Sequence, residues 1–409
     1  MKKNSIYTLL VVFLTAFSMT SCLKDQEDLF DDSASKRLTT YLAETKDVLV
    51  SAEHGWAFKY FPDREQQYGG YTYVLKFDQE NVTVTSELDE GSFTSTYKLT
   101  NESGPCLMVD TYNESIHMFS TPSSSLYEAY DGDNLFLILG ISDDKKTITL
   151  KGTRSGNILY MNRLEEDGTD YLKSVMEMDE NMGPDFISND GKLAVALDFD
   201  NRQFEIMNTE TGEYATTAFI ISKKGGEFYS PVEFGGREIS SFAFDPATSV
   251  LSLDDLNTSL EQKTVIESFL SRTWFFKYDS ICPSLQTGWK KAATTMSRYG
   301  LDINYVFVED GLFDVIFSYG NNLYQCKYAC NLTPEDEDVV TFEITGPHPT
   351  DVNVNFIEQN IPDFKAFPAA CDGKFKITIL NKHRSLLKFT KVDNPSVYFT
   401  VTTSEVTAF

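Results

Sequence analysis

The sequence predicts a mainly β protein (α+β) made of duplicated units, each one helix followed by an antiparallel barrel- or sandwich-like sheet. Three observations lead there. After Gly55 the hydrophobic period changes from helical to two. Short β-branched or aromatic segments then alternate with turn formers at regular spacing. Finally, Trp56-Ala57-Phe58-Lys59-Tyr60 returns as Trp274-Phe275-Phe276-Lys277-Tyr278, each time directly after a helical stretch.

The first helix is expected over residues 34–52. Ala34, Leu38, Tyr41, Leu42, Val48, Leu49 and Ala52 fall on one stripe, and Ser33 stands where an N-cap oxygen is needed. Strands are expected at 56–60, 71–77, 82–87, 93–99, 107–111, 135–141, 147–150 and 158–163. Gly69-Gly70, Glu90-Gly91, Asp131-Gly132-Asp133-Asn134 and Asp143-Asp144 supply the turns. A second, shorter helix at 170–182 stops at Gly183-Pro184. Strands resume at 193–199, 203–207, 215–222, 227–229, 239–244 and 250–253, with Asp200-Asn201 as a tight turn. A third helix is expected at 260–271.

The repeated pentapeptide is supported by its surroundings. Segment 71–77 corresponds to 303–308, 82–87 to 312–318, 93–99 to 323–329, 107–111 to 339–344, 147–150 to 375–380, and 158–163 to 386–390. In an extended segment Trp56, Phe58 and Tyr60 share one face, as do Trp274, Phe276 and Tyr278, so these six are expected to pack as core under the preceding helix. The resulting division is a signal at 1–21, an acidic tether at 22–33, a helix-plus-β domain at 34–165, a middle β segment at 166–256 that could pack on the first domain, and a repeat of the first domain at 257–409.

Met1–Ser21 has a charged start in Lys2 and Lys3, an apolar run from Ile6 to Phe17, and small residues before Cys22, the three parts of a secretory signal. The cysteine in that position resembles a lipobox, which implies diacylation of Cys22. Lys24, Asp25, Glu27 and Asp28 follow at once and resemble an export signal that carries lipoproteins across an outer membrane. Acyl chains in the outer membrane, with the protein facing outward, are therefore the expected anchor. No later stretch approaches the roughly 18 apolar residues of a membrane span.

With 61 acids against 35 bases and a net charge of -26, the surface repels phosphate backbones, so a nucleic-acid partner is not expected. A chain with 31 Phe and 21 Tyr can bury real cores. Once Cys22 is acylated, Cys106, Cys282, Cys326, Cys330 and Cys371 remain, an odd number that cannot form a disulfide scaffold. Cys326 and Cys330, four residues apart in a strand, would lie about 13 Å from each other and cannot bond.

No catalytic residue, cofactor or metal site is assigned. His-Glu-x-x-His, Gly-x-Ser-x-Gly and the phosphate and dinucleotide glycine loops are absent, and His54, His117, His348 and His383 are far apart. Asp131-Gly132-Asp133-Asn134 and Glu165-Glu166-Asp167-Gly168-Thr169-Asp170 cluster oxygens as weak Ca2+ sites do, but acidic turn chemistry explains them more simply. The preferred ligand-binding segment is 223–237, where Gly225-Gly226 and Gly235-Gly236 frame Phe228, Tyr229 and Phe234; aromatic faces of this kind suit sugars or apolar peptides.

Glu53-His54-Gly55-Trp56, Gly69-Gly70-Tyr71, Leu150-Lys151-Gly152-Thr153-Arg154-Ser155-Gly156-Asn157, Glu227-Phe228-Tyr229-Ser230-Pro231-Val232 and Ser241-Phe242-Ala243-Phe244-Asp245 together resemble a family of Bacteroidetes lipoproteins defined by a domain of unknown function, over roughly residues 30–260. That resemblance implies an accessory of an outer-membrane nutrient-uptake system and transfers no catalytic residue. The expected function is thus non-catalytic binding of a polysaccharide or peptide for an outer-membrane transporter. A surface hydrolase with an acidic pair and a structural or adhesive surface protein are the alternatives.

Overall fold

The computed structural model describes residues 33–404 and 406, apart from 90, 102–103, 123, 125–128 and 370. These residues form three closed barrels, each of eight antiparallel strands in up-and-down order with the last strand returning to the first. The strands of the first barrel lie within 56–163, those of the second within 185–262 and those of the third within 274–402.

Alternation within each strand decides which side chains face inward. Asn81–Ser86 buries Val82, Val84 and Ser86; Gln203–Asn208 buries Phe204 and Ile206; Gly311–Tyr319 sends Phe313, Val315 and Phe317 into the third core. An eight-stranded barrel has an interior just wide enough for such side chains, so each is a packed core and no pore runs through it. Phe58, Tyr60, Tyr73 and Phe136 fill the first, Phe204, Phe219 and Phe242 the second, and Phe276, Phe313, Phe342 and Phe399 the third. Among the described residues no helix is long and apolar enough to cross a membrane.

A helix closes the lower end of each barrel, where its first strand begins. Ala34–Val50 is capped by Ser33, whose Oγ accepts from the Lys36 amide (3.3 Å), and buries Val48 and Leu49. Gly168–Asn181 is capped by Asp167 and places Val175 and Met178 in the second core. Val265–Leu270 carries a capping box between Thr264 and Glu267 and buries Ile266 and Phe269.

The sheet architecture matches the expected class, with one more unit than the repeat suggested, because the middle segment is itself a helix-capped barrel. Residues 260–262, expected to open the third helix, instead belong to Thr258–Gln262, the strand that closes the second barrel, and the third helix is the shorter Val265–Leu270. The third unit therefore starts after residue 262 and not at 257.

Correspondences between the outer units hold through the fifth strand and slip afterwards. Thr147–Gly152 is a seventh strand and Gly373–Ile379 a sixth, whose true counterpart is Leu135–Ile141; the eighth strand of the third barrel is Tyr398–Thr402. The units differ in the connection between strands five and six. In the second barrel this is the two-glycine turn Gly235-Gly236, both with positive φ (60° and 71°). In the first it is an excursion over 110–134 carrying the helix Glu114–His117, and in the third one of equal length over 348–372 carrying Val354–Asn360 and Ala366–Ala369.

Candidate functional site

The repeated motif does pack as core. Trp56, Phe58, Tyr60, Trp274 and Phe276 are fully buried. Trp56 Nε1 donates to the Leu49 carbonyl (3.0 Å) and Trp274 Nε1 to the Phe269 carbonyl (2.9 Å), each the second-last residue of the preceding helix. Tyr278 is the exception to the expected set. The strand ends at Phe276, a short 3-10 turn begins at Tyr278, and its half-buried ring sends its hydroxyl to the Gln286 carbonyl (3.2 Å). Tyr60 keeps its hydroxyl on the amide and carbonyl of Asp133 (2.7 and 3.2 Å), and burial pushes its phenol pKa well up.

The segment preferred as a ligand site is a correction, because its aromatics are consumed by packing. Phe234 faces the second core and Phe228 lies against Phe204 (4.6 Å between ring centres). Tyr229 crosses to the first barrel, where its ring meets Phe61 (5.0 Å) and its hydroxyl accepts from the Ile158 amide (3.1 Å). Gly225 and Gly226 are glycines because Phe242 lies against them: a Cβ at Gly226 would come within 2.2 Å of its ring.

The oxygen clusters also serve the fold. The Asp133 carboxylate accepts from the Arg154 amide and the Ser155 hydroxyl (2.5 Å each), while Asp131 pairs with Arg154. Glu165 pairs with Lys146, Glu166 with Lys223, and Asp167 caps its helix, so these acids diverge. Among the described residues no three His, Cys, Asp or Glu side chains gather as a metal cage. Cys326 and Cys330 are free, buried thiols on the core face of one strand, and burial raises both pKa values. Cys22, Lys24, Asp25, Glu27 and Asp28 lie outside the described residues.

Two arrangements escaped sequence reading. The first is a charged junction of all three units. Arg202, in the turn after the second strand of the middle barrel, reaches Glu87 of the first barrel (3.0 Å) and lies 3.9 Å from Asp179 of the middle helix. Asp179 also receives His383 (3.1 Å) and Lys382 from the third barrel. Burial raises the Glu87 carboxyl more than Arg202 lowers it. For Asp179 burial acts in the same sense, yet the hydrogen bond from His383 and the charge of Arg202 outweigh it and hold the carboxyl well below its ordinary range. Two carboxyls shifted in opposite directions are a pattern of acid–base sites. Here both side chains are sealed in the junction, 2% and 4% exposed, where no substrate reaches them.

The second is a cleft of about 460 Å³ at the upper mouth of the third barrel. Its position follows from strand parity. Leu301, Phe317, Tyr319 and Tyr324 continue the inward-facing rows of their strands past the end of the core, and the helix Val354–Asn360 forms the opposite wall with Phe356 and Ile357. Tyr299, just before the second strand, completes the rim. Tyr299, Tyr319 and Phe356 are 61%, 56% and 67% exposed, whereas Tyr324 lies nearly parallel over buried Phe317 (5.8 Å, 19°). Asn353 and Asn360 bring carboxamides, each with one N–H held by a backbone carbonyl, of Gln325 and Phe356 respectively (2.8 Å). Mouths of barrels are a preferred place for ligand sites, and this volume is typical of them. In the first barrel the same end is filled, with Phe119 packed on Tyr60 and Tyr71. A sequence signal existed in Tyr299-Gly300 and Tyr319-Gly320, aromatics set beside turn glycines at strand ends.

Fold and site together define a tandem-barrel protein with an open aromatic mouth on its last barrel. The chain belongs to the family described as a domain of unknown function (DUF4302), whose profile matches residues 26–246, the first barrel and most of the second. No curated protein matches it. Solved structures similar to this chain include the DNA polymerase sliding clamp from Pseudomonas aeruginosa, 9% identical over 90% of this chain and 96% of that one, with a TM-score of 0.14. The Helicobacter pylori β clamp bound to a DNA ligase peptide is also 9% identical, over 89% and 97%, with a TM-score of 0.12. Similarity at these TM-scores bears on neither fold nor function.

Proposed function

We propose that the protein is a non-catalytic capture module: lipid-anchored through Cys22, displayed outward with the help of Lys24, Asp25, Glu27 and Asp28, it holds an extracellular polymer for an outer-membrane transporter. The observation that carries this reading is the aromatic cleft, together with where it lies. Residues that join the third barrel to the second, Arg272, Lys382 and His383, sit at the lower end of the third barrel, in the helix-to-strand connection and the sixth-to-seventh turn. The cleft is built from connections at the opposite end and so points away from the other two barrels. A tether at the amino terminus and a binding mouth at the free end of the last unit suit presentation of a ligand away from a membrane. Sealing of the Glu87 and Asp179 carboxyls weighs against the hydrolase alternative.

The test is titration of the purified full chain with libraries of oligosaccharides and of peptides, followed by mass analysis of the recovered ligand. Saturable binding with the ligand returned intact is expected, and the double variant Tyr324→Ala, Phe356→Ala should lose it without a change in melting temperature. Cleaved product, or binding untouched by the double variant, would overturn the reading.

A further inference from the structure

We infer that the ligand of the third-barrel mouth is a neutral glycan built of ring sugars, an assignment that rests on the capture reading above. The cleft presents no charged side chain. Acids near it are already engaged. Glu358, on the same helix as Phe356, accepts from the Tyr328 hydroxyl (3.0 Å) and pairs with Lys365 (3.3 Å), and Asp351 accepts from the amides of Lys327, Asn353 and Val354 (2.6 to 2.8 Å). A basic peptide finds no counter-ion in the cleft. An acidic glycan finds no cation, and approaches a chain whose net charge is -26.

What the cleft offers is aromatic faces with neutral hydrogen-bonding groups between them. The face of an aromatic ring carries negative quadrupole density and attracts the slightly positive C–H face of a pyranose, while hydroxyls around the ring need donors and acceptors at its edge. Tyr324 is fixed for this, since Phe317 supports one face of its ring and leaves the other to the cleft. Phe356 stands on the opposite wall. The phenols of Tyr299 and Tyr319 and the carboxamides of Asn353 and Asn360 supply the polar partners.

A peptide would gain affinity by adding a strand to a free sheet edge. On the fourth strand, which runs beyond its fifth-strand partner between residues 322 and 327, part of that edge is taken: Gln325 O accepts from Asn353, Lys327 N donates to Asp351, and Lys327 O accepts from the His348 amide (2.8, 2.8 and 2.9 Å).

The experiment compares three probe sets on the full chain by calorimetry: neutral hexasaccharides (gluco-, manno-, galacto- and xylo-configured), oligogalacturonates and sulfated oligosaccharides, and apolar peptides. Binding of at least one neutral series is expected, weakened at least tenfold by Tyr324→Ala or Phe356→Ala and retained by Tyr324→Phe, with melting temperature unchanged in all three. Binding confined to acidic sugars or to peptides, and sensitive to the same variants, would overturn the neutral-glycan assignment while leaving the capture reading standing. Absence of binding to any set, or binding indifferent to both alanine variants, would overturn both.

Discussion

The contact between the first and second barrels and the contact between the second and third are made of different materials. At the first, apolar surface is shared. Ala218 and Ile220 of the second barrel belong to the core of the first, Tyr229 packs on Phe61, and Leu172 of the middle helix lies on Ala57, Val74 and Leu164. Backbones approach closely enough that Gly69 (φ +63°) admits no side chain: a Cβ there would fall 2.0 Å from that of Arg202. At the second contact the partners are mostly ionic. Arg272 pairs with Asp185 (2.7 Å), Lys382 and His383 with Asp179, and Arg384 donates to the Lys263 carbonyl (2.6 Å); stacking of His383 on Phe199 (3.8 Å, 4°) is the chief apolar element. Shared apolar burial joins two units into one cooperative body, whereas ionic contacts gain less net free energy for the same area. The first two barrels therefore form a single body and the third is docked onto it.

The largest effect is expected where that body holds its buried charge. Arg202 sits in the left-handed region (φ 51°), stacks over Tyr71 (5.4 Å) and serves Glu87 and Asp179 at once. Arg202→Ala leaves two buried carboxyls facing each other and should destabilise the two-barrel body by about 3–5 kcal/mol. Arg202→Lys should recover little of this, since a point charge cannot both stack and bridge. Urea unfolding within 1 kcal/mol of the parent for the alanine variant would mean that the shared apolar surface suffices without the ion pairs.

Next come the two tryptophans, which sharpen the comparison because they are equivalent within their barrels but lie on opposite sides of the ionic contact. Trp56→Ala and Trp274→Ala should each cost about 3–5 kcal/mol. If the third barrel is an independent cooperative unit, calorimetry resolves two transitions. Trp56→Ala then lowers the one belonging to the joined barrels and Trp274→Ala lowers the other. A single transition moved equally by both variants would show that all three barrels unfold together.

What could be seen in the sequence divides along physical lines. Trp56 and Trp274 were recognisable because a core motif beside a helix is local: five residues and their alternation suffice. The barrel between them lacked that motif, its first strand being Asp185–Ser188 with Phe186 in place of tryptophan, so a third unit was read as a β segment. Phe228, Tyr229 and Phe234 misled because glycine-framed aromatics look alike whether the partner is a ligand or another strand. Glu87, Asp179, Arg202 and His383 are brought together only by the docking of whole barrels. The mouth of the third barrel combines the ends of three connections, and its composition becomes meaningful only once the strand order places those ends side by side.

The smallest expected effect on stability lies at the ionic contact itself. Lys382→Ala with His383→Ala removes two partners of Asp179 and uncovers Phe199 at the rim of the second core, but deletes no core side chain. Because the joined barrels keep Arg202 against Glu87, neither transition should move by more than a few degrees. Loosening of the docked state should appear as faster proteolysis at Lys263, about tenfold for a loss of about 1.4 kcal/mol. Acid should imitate the variant. The Asp179 carboxyl titrates below its ordinary value in the docked structure, so its contribution is fully present above the ordinary carboxylate value and is lost as pH falls through the lowered one. Docking should therefore be constant from neutral pH to about pH 5 and weaken progressively below about pH 4. With Lys382 and His383 already removed, the dependence should flatten, since the carboxyl loses most of what lowers it. Scattering measurements across this range decide the matter. Parent and variant profiles that expand together at the same pH would place the acid-sensitive group elsewhere, and a parent that stays compact to pH 2 would show that the third barrel is held by more than its ions.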